Sequence, residues 1–270
     1  MLSSIVLQLT AKENGRIHGS TGRAVHGFWY QQWQKTAPAI ANVLHQVNGH
    51  QPFTLSPIMD LPHPQRGTTT IRQGHTAWLR LTTLHPEITQ RALETWLPNL
   101  PDTVELATIP WQLQNIALMP QEHPYAAQTS YQTLEEKTPP SQTWQFEFKT
   151  PTTFHIGQEA YLPFPLPGAL VNSWWRRWHN FAPRQLPPID QKLLQEQLFV
   201  SHYQLKTVPV RHGRRLTIGC VGKITLRAGK RQADKLSAET LRTLAILARY
   251  ATYCGSGKHT TQGMGLTILD

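Results

Sequence analysis

The stretch SAETLRTLAILARYATYCGSGKHTTQGMGLTIL, Ser237 to Leu269, reads as a helix, a loop and a strand. Ser237 suits an N-cap, because its hydroxyl can accept from an unpaired N–H of the first turn. The apolar residues of SAETLRTLAILARYA recur at helical spacing, and GMGLTIL is a short strand. Between them GSGKHTTQGMG places Gly255, Gly257, Gly263 and Gly265 in one loop with Lys258 and His259. A helix and then a strand close a β-α-β-β-α-β unit, the ferredoxin-like order.

Upstream the rest of that unit is legible. TWQFEFKT alternates as a strand, GALVNSWWRRWHNF is a helix, and YQLKTVPV and RLTIGCVGKITLRA are strands. Glycines in the last of these predict a bulge or a close backbone approach. The first half repeats the order. SIVLQLTA is a strand, a helix starts near Thr21 in TGRAVHGFWYQQW, and PAIANVLHQV is a second helical piece. PFTLSPI and TAWLRLTTL are strands, PEITQRALETWL is a helix with Pro86 in its first turn, and TVELATI and WQLQNIAL close the half as strands. The expected fold class is α+β, with two tandem ferredoxin-like (RRM-like) domains at 1–131 and 144–270. The polar, proline-bearing segment 132–143 is expected to link them.

The 270 residues have 39% hydrophobic content and a mean hydropathy of -0.39, with no run long and apolar enough for a membrane span. The first residues lack a basic region ahead of an apolar run, so no signal peptide is expected. Cys220 and Cys254 are the only cysteines, in no CxxC pair, and read as reduced thiols of a cytoplasmic protein. The net charge is +10. Residues 1–143 hold nine basic and nine acidic residues, which leaves 17 and 7 of the 26 and 16 to residues 144–270. Positive charge confined to one half favours a polyanion such as nucleic acid.

The loop does not bind a nucleotide in the manner of G-x-x-x-x-G-K-[ST]. Thr252 stands where the first glycine belongs, His259 follows the lysine, and the loop leads to a strand rather than a helix. GCVGKIT fails likewise, with Thr217 at the first position. Glycine backbone can instead approach phosphate oxygens closely, with Lys258 and His259 adding charge or hydrogen bonds. That need, rather than core packing, is the expected reason for Gly263 and Gly265.

VHGFWYQQW, PFTLSPIM, RLTTL, FKTPTTF, PLPGALVNSWWRRWHNF, GCVGKITL and above all YCGSGKHTTQGMG resemble one family. It is that of the CRISPR-associated endoribonucleases that cut precursor CRISPR RNA within its repeats. These are members of the repeat-associated superfamily with tandem ferredoxin-like folds. The resemblance implies metal-independent attack of a ribose 2'-hydroxyl on the adjacent phosphate, giving a 2',3'-cyclic phosphate and a 5'-hydroxyl. It also implies repeat RNA as partner. Other CRISPR effector subunits are admissible further partners, for a monomer or weak dimer. The same fold and charge would also suit a non-catalytic RNA-binding subunit of a guide-RNA complex.

Such cleavage needs a base, an acid and donors for the phosphorane. The resemblance implies a catalytic histidine, which members often carry in or just before the first helix though its place varies among them, and His26 matches. A helix N-terminus would lower its pKa and leave more neutral base. Tyr30, at i+4, shares its face and could donate to the phosphate. His18 and His45 are the fallback candidates. Trp174, Trp175 and Trp178 fit a buried stripe, which leaves Arg176 and Arg177 to meet phosphates or a base edge. Arg211, Arg214 and Arg215 form a second basic cluster. His45 and His50 have no cysteine or carboxylate at familiar ligand spacing, so neither metal nor cofactor is expected.

Affinity for repeat RNA should therefore fall steeply with salt, by about 10³-fold or more between 50 and 200 mM for six or more phosphate contacts. Anisotropy titrations at several salt concentrations measure the slope. A flat response would exclude a phosphate-dominated interface.

Overall fold

The computed structural model describes residues 1–47, 49–156, 160–212, 215–229 and 236–270. They fall into two compact units. Unit 1 comprises Met1–Thr129 with Arg211–Arg215 and Thr261–Met264; unit 2 comprises Ser130–Val210, Leu216–Thr260 and Gly265–Asp270.

Unit 1 runs β1 (Leu2–Ala11), β2 (Gly15–His18), α1 (Gly22–Thr36), α2 (Pro38–Gln46), β3 (Phe53–Leu55), β4 (Thr68–Ile71) and β5 (Thr76–Thr83). It continues through α3 (Pro86–Arg91), a π-helical turn (Ala92–Trp96), β6 (Thr103–Leu106), β7 (Ile109–Ala117) and β8 (Ala127–Thr129). The main sheet has the order β3-β5-β1-β7-β6, with β8 also paired to β1, while β2 and β4 form a separate ribbon. The four strands of the ferredoxin-like order thus lie 2-3-1-4, and β6 extends the β7 edge. Central β1 pairs antiparallel with β5 from Ser3↔Thr83 to Thr10↔Thr76, and with β7 on its other side.

The core explains the placement of α1. Trp29 and Trp33, at i and i+4, are fully buried. The Trp29 ring lies 5.0 Å from Trp96 and 5.1 Å from Phe53. Truncating a core tryptophan to alanine costs about 3–5 kcal/mol, so this stripe fixes which face of α1 turns inward. The π-helical turn, where Leu97 N–H donates to the Ala92 carbonyl, carries Trp96 into the same cluster.

Unit 2 runs α4 (Tyr131–Lys137), β9 (Thr143–Thr152), β10 (Phe154–Ile156), β11 (Ala160–Leu162), α5 (Pro167–Phe181) and α6 (Gln191–Gln197). Then follow β12 (Leu198–His212) and β13 (Arg215–Ala228), of which residues 211, 212 and 215 count with unit 1, and then α7 (Ala238–Cys254) and β14 (Thr267–Leu269). Its sheet order β12-β13-β9-β14 is again 2-3-1-4. The alternation of β9 is real: Trp144, Phe146, Phe148, Thr150 and Thr152 are buried. Trp174 packs 5.1 Å from Phe146, and Trp178 packs 5.2 Å from Tyr250 of α7. Trp175, expected in the same stripe, is only half-buried and lies 3.5 Å from the His179 ring. Ser237 caps α7 as expected, its hydroxyl accepting from Thr240 N–H at 3.0 Å. Cys220 and Cys254 are both buried, and burial pushes the Cys220 thiol up to about 11.

The segment 132–143, expected as a linker, opens inside α4. Ser130 caps that helix, and Tyr131 is buried with its ring 4.9 Å from Trp178. Its polar sequence hid one apolar face made by Tyr131 and Leu134.

The glycines of β13 behave as the sequence suggested. Register shifts between Cys220 and Gly222. Gly222 has φ +122° and a Cβ there would run into the Gln204 carbonyl. Gly222→Ala should therefore destabilise the chain by about 2 kcal/mol or more, through strain and collision together. The urea midpoint measures it, and a midpoint equal to the parent's would refute the steric account.

Candidate active site and glycine loop

In unit 1 the start of α1 is tied down from two sides. Thr21 Oγ1 accepts from Ile58 N–H at 2.8 Å. A Cβ on Gly22 would meet the Gln262 carbonyl, and one on Gly263 (φ +90°) would lie 2.9 Å from Gly22 Cα and 3.2 Å from Pro57 N. Residues 261–264 thus pack directly on the N-terminus of α1.

Burial of Trp29 and Trp33 leaves His26 and Tyr30 on a half-buried stripe of α1. Pro38 begins α2 after a single residue, so the chain folds back and α2 brings His45 to that stripe. The three rings form one column. His26 and Tyr30 have centroids 4.9 Å apart, and His45 stacks on Tyr30 at 4.0 Å and 25°. The Tyr30 hydroxyl donates at long range, 3.4 Å, to the Leu44 carbonyl. His18 is elsewhere on the surface of the unit, with Nδ1 3.0 Å from Thr68 Oγ1.

The His26 imidazolium is disfavoured, as expected, but for a different reason. Burial lowers its pKa most, and positive His45 and Arg23 lower it further. His26 is the fifth residue of α1, beyond the first turn where the helix dipole acts. Burial raises the Tyr30 phenol, which keeps its proton for donation. The column thus holds a neutral imidazole, a phenol donor and a second, exposed imidazole. The sequence offered His45 only as a fallback to His26, because its contact with Tyr30 depends on the fold-back of α2.

In unit 2 the glycine loop is largely buried, and Lys258 is its exposed side chain, beside half-buried His259. Gly255 ends α7 with φ +65°, its N–H donating to the Ala251 carbonyl at 2.9 Å. A Cβ on Gly257 would strike the Thr153 carbonyl, and one on Gly265 the Ser256 carbonyl. The four glycines are therefore required by the protein's own backbone, which corrects the expectation that Gly263 and Gly265 serve phosphate approach alone. Trp174 Nε1–H donates to Ser256 Oγ at 2.9 Å, and Gly257 N–H to Ser173 Oγ at 2.9 Å.

The arginines divide. Arg176 is exposed and free to meet an anion from solvent. Arg177 is not: it is 5% exposed, and Nη2 donates to the Gly257 carbonyl at 2.6 Å. A step of one residue turns a helix by about 100°, which swings Arg177 inward beside Trp178. Arg211 is exposed near the end of β12, Arg215 opens β13, and Arg214 lies outside the described residues. Among the described residues no group of three or more His, Cys, Asp or Glu side chains is placed to hold a metal ion. No described helix is long and apolar enough to cross a membrane.

Two family models match the chain. The CRISPR Cas6 N-terminal domain spans residues 1–136, and the CRISPR-associated endoribonuclease Cas6 spans residues 146–267. No curated protein matches. Among solved structures, the product complex of Cas6 (TTHB231) from Thermus thermophilus is 29% identical, with a TM-score of 0.80 over 100% of both chains. The product complex of Cas6 (TTHA0078) is 26% identical, with a TM-score of 0.78 over 100% of this chain and 99% of that one. The product of a Cas6-related gene from Pyrococcus furiosus, at 12% identity and a TM-score of 0.68, covers 100% of this chain and 99% of its own and shows the shared fold.

The ring column makes a measurable claim. In an NMR titration His26 should protonate below 6.5, the ordinary histidine value. His45→Gln removes one positive neighbour and should move that transition upward, though burial keeps it depressed. A His26 that titrates at or above the ordinary value would contradict the column's electrostatics.

Proposed function

The chain belongs to the CRISPR-associated Cas6 endoribonucleases, which process CRISPR RNA, and on that premise we propose that the His26–Tyr30–His45 column is its catalytic centre. The observation that carries this reading is the placement of two imidazoles against one phenol, His45 stacked on Tyr30 and His26 tilted beside it, on α1 and α2. His26, neutral at working pH, takes the proton of the ribose 2'-hydroxyl. The 2'-oxygen forms its bond to phosphorus as the bond to the 5'-oxygen breaks. That oxygen takes a proton from His45, and the products are a 2',3'-cyclic phosphate and a 5'-hydroxyl. Tyr30 donates to a non-bridging oxygen as negative charge builds. Arg176, Arg211 and the loop residues Lys258 and His259 supply positive charge or donors to the repeat RNA. The relatives support the reading by kind: a product complex, a substrate-mimic complex and a histidine-to-alanine mutant are among them.

His26→Ala should slow single-turnover cleavage of a labelled repeat by about 10²-fold or more, with little change in affinity. His45→Ala should slow it too, and His18→Ala should not. A single 2'-deoxy sugar at the scissile position should abolish cleavage, and EDTA should leave it unchanged. Parental cleavage by both His26→Ala and His45→Ala would remove the column from the chemistry. Cleavage of the 2'-deoxy substrate would remove the mechanism.

A further inference from the structure

Arg177 has a role that its neighbour Arg176 does not. Among the described residues its guanidinium donates only to neutral oxygens. Nη1 donates to Ser173 Oγ at 2.6 Å and to the Ser173 carbonyl at 3.3 Å. Nη2 donates to the Gly257 carbonyl at 2.6 Å and to Thr260 Oγ1 at 3.3 Å. Among the described residues it makes no ion pair. A buried cation without a partner anion is costly, and a neutral amide could hold two acceptors at less cost. What guanidinium adds is a rigid planar fork whose donors reach two elements at once. Here one arm is on α5 and the other on the loop.

The loop is held on both sides of its exposed residues. Residue Gly257 is gripped on both sides of its Cα: its N–H donates to Ser173 Oγ and its C=O accepts from Arg177. Lys258 N–H donates to the Thr153 carbonyl at 2.9 Å, and Thr260 Oγ1 is on the Arg177 fork. Between the clamps His259 has φ +58°, the left-handed region that few residues with a side chain adopt. We propose that Arg177 is a positioning residue for RNA binding, which fixes Gly257 and Thr260 so that Lys258 and His259 present to RNA in one conformation. The proposal rests on the reading of this loop as an RNA contact.

The test uses the full chain, labelled repeat RNA, anisotropy for Kd, and single-turnover rates at saturating protein. The variants are Arg177→Met, Arg177→Lys, Ser173→Ala, Lys258→Ala, and the double variant Arg177→Met with Lys258→Ala. Arg177→Met should weaken binding about tenfold, the scale of hydrogen bonds to a charged group, with the loss in Kd rather than in the saturated rate. Arg177→Lys keeps the charge but not the fork and should resemble Arg177→Met more than the parent. The double variant should bind no more weakly than the worse single, since both changes remove one contact. Parental affinity in Arg177→Met beside weakened Lys258→Ala overturns the proposal and spares the loop. Additive losses overturn it as well. Parental affinity in both singles takes the loop out of the interface, and the proposal with it. Should Arg177→Met not fold, Ser173→Ala decides. A loss that fails to add to that of Lys258→Ala, read in the double variant Ser173→Ala with Lys258→Ala, supports the proposal, and additive losses or parental affinity overturn it.

Discussion

A pair of tryptophans at i and i+4 on the first long helix is the constraint on which each unit depends. Trp29 and Trp33 sink one face of α1 into the first core, and Trp174 and Trp178 do the same for α5 in the second. Once those faces are committed, the neighbouring i, i+4 stripe is fixed too. On α1 it carries His26 and Tyr30. On α5 it carries Ser173 and Arg177. The first stripe offers proton-transfer groups, and the second grips a loop. One packing rule thus places two different kinds of chemistry.

The order of elements was legible because alternation and helical spacing differ in period. Thus TWQFEFKT and SAETLRTLAILARYA declared themselves, and the 2-3-1-4 sheets followed from the repeated β-α-β-β-α-β order. Helix α4 was not legible, since Tyr131 and Leu134 are too few to rise above a polar segment. The two adjacent arginines look identical in sequence. Their separation into one surface cation and one buried fork follows from their angle about α5 relative to Trp178, a quantity visible only once the buried face is known. His26 could be singled out by resemblance, whereas its pairing with His45 required the turn at Ala37–Pro38.

The glycine loop joins both lessons. A glycine-rich stretch with a lysine invites a phosphate-binding reading, and the charge of residues 144–270 strengthens it. Yet each glycine also answers a collision inside the protein. The two demands are compatible. Backbone packed that tightly cannot yield to a ligand, so whatever Lys258 and His259 meet encounters a preset surface rather than one shaped on arrival. Preorganisation of this kind reduces the ordering cost of binding.

The membership of Thr261–Met264 in unit 1 bears on the order in which the chain can become complete. Every strand of that unit's main sheet emerges from the ribosome before Ser130, and of the unit only Arg211–Arg215 and Thr261–Met264 come later. The four residues that cover Gly22 emerge only after α7. Throughout most of translation the N-terminus of α1 therefore stands uncovered, and a fragment ending at Thr129 would keep it so for good. The last stage in maturing the nascent first unit is the arrival of a segment encoded far downstream, which ties its completion to synthesis of nearly all of the second.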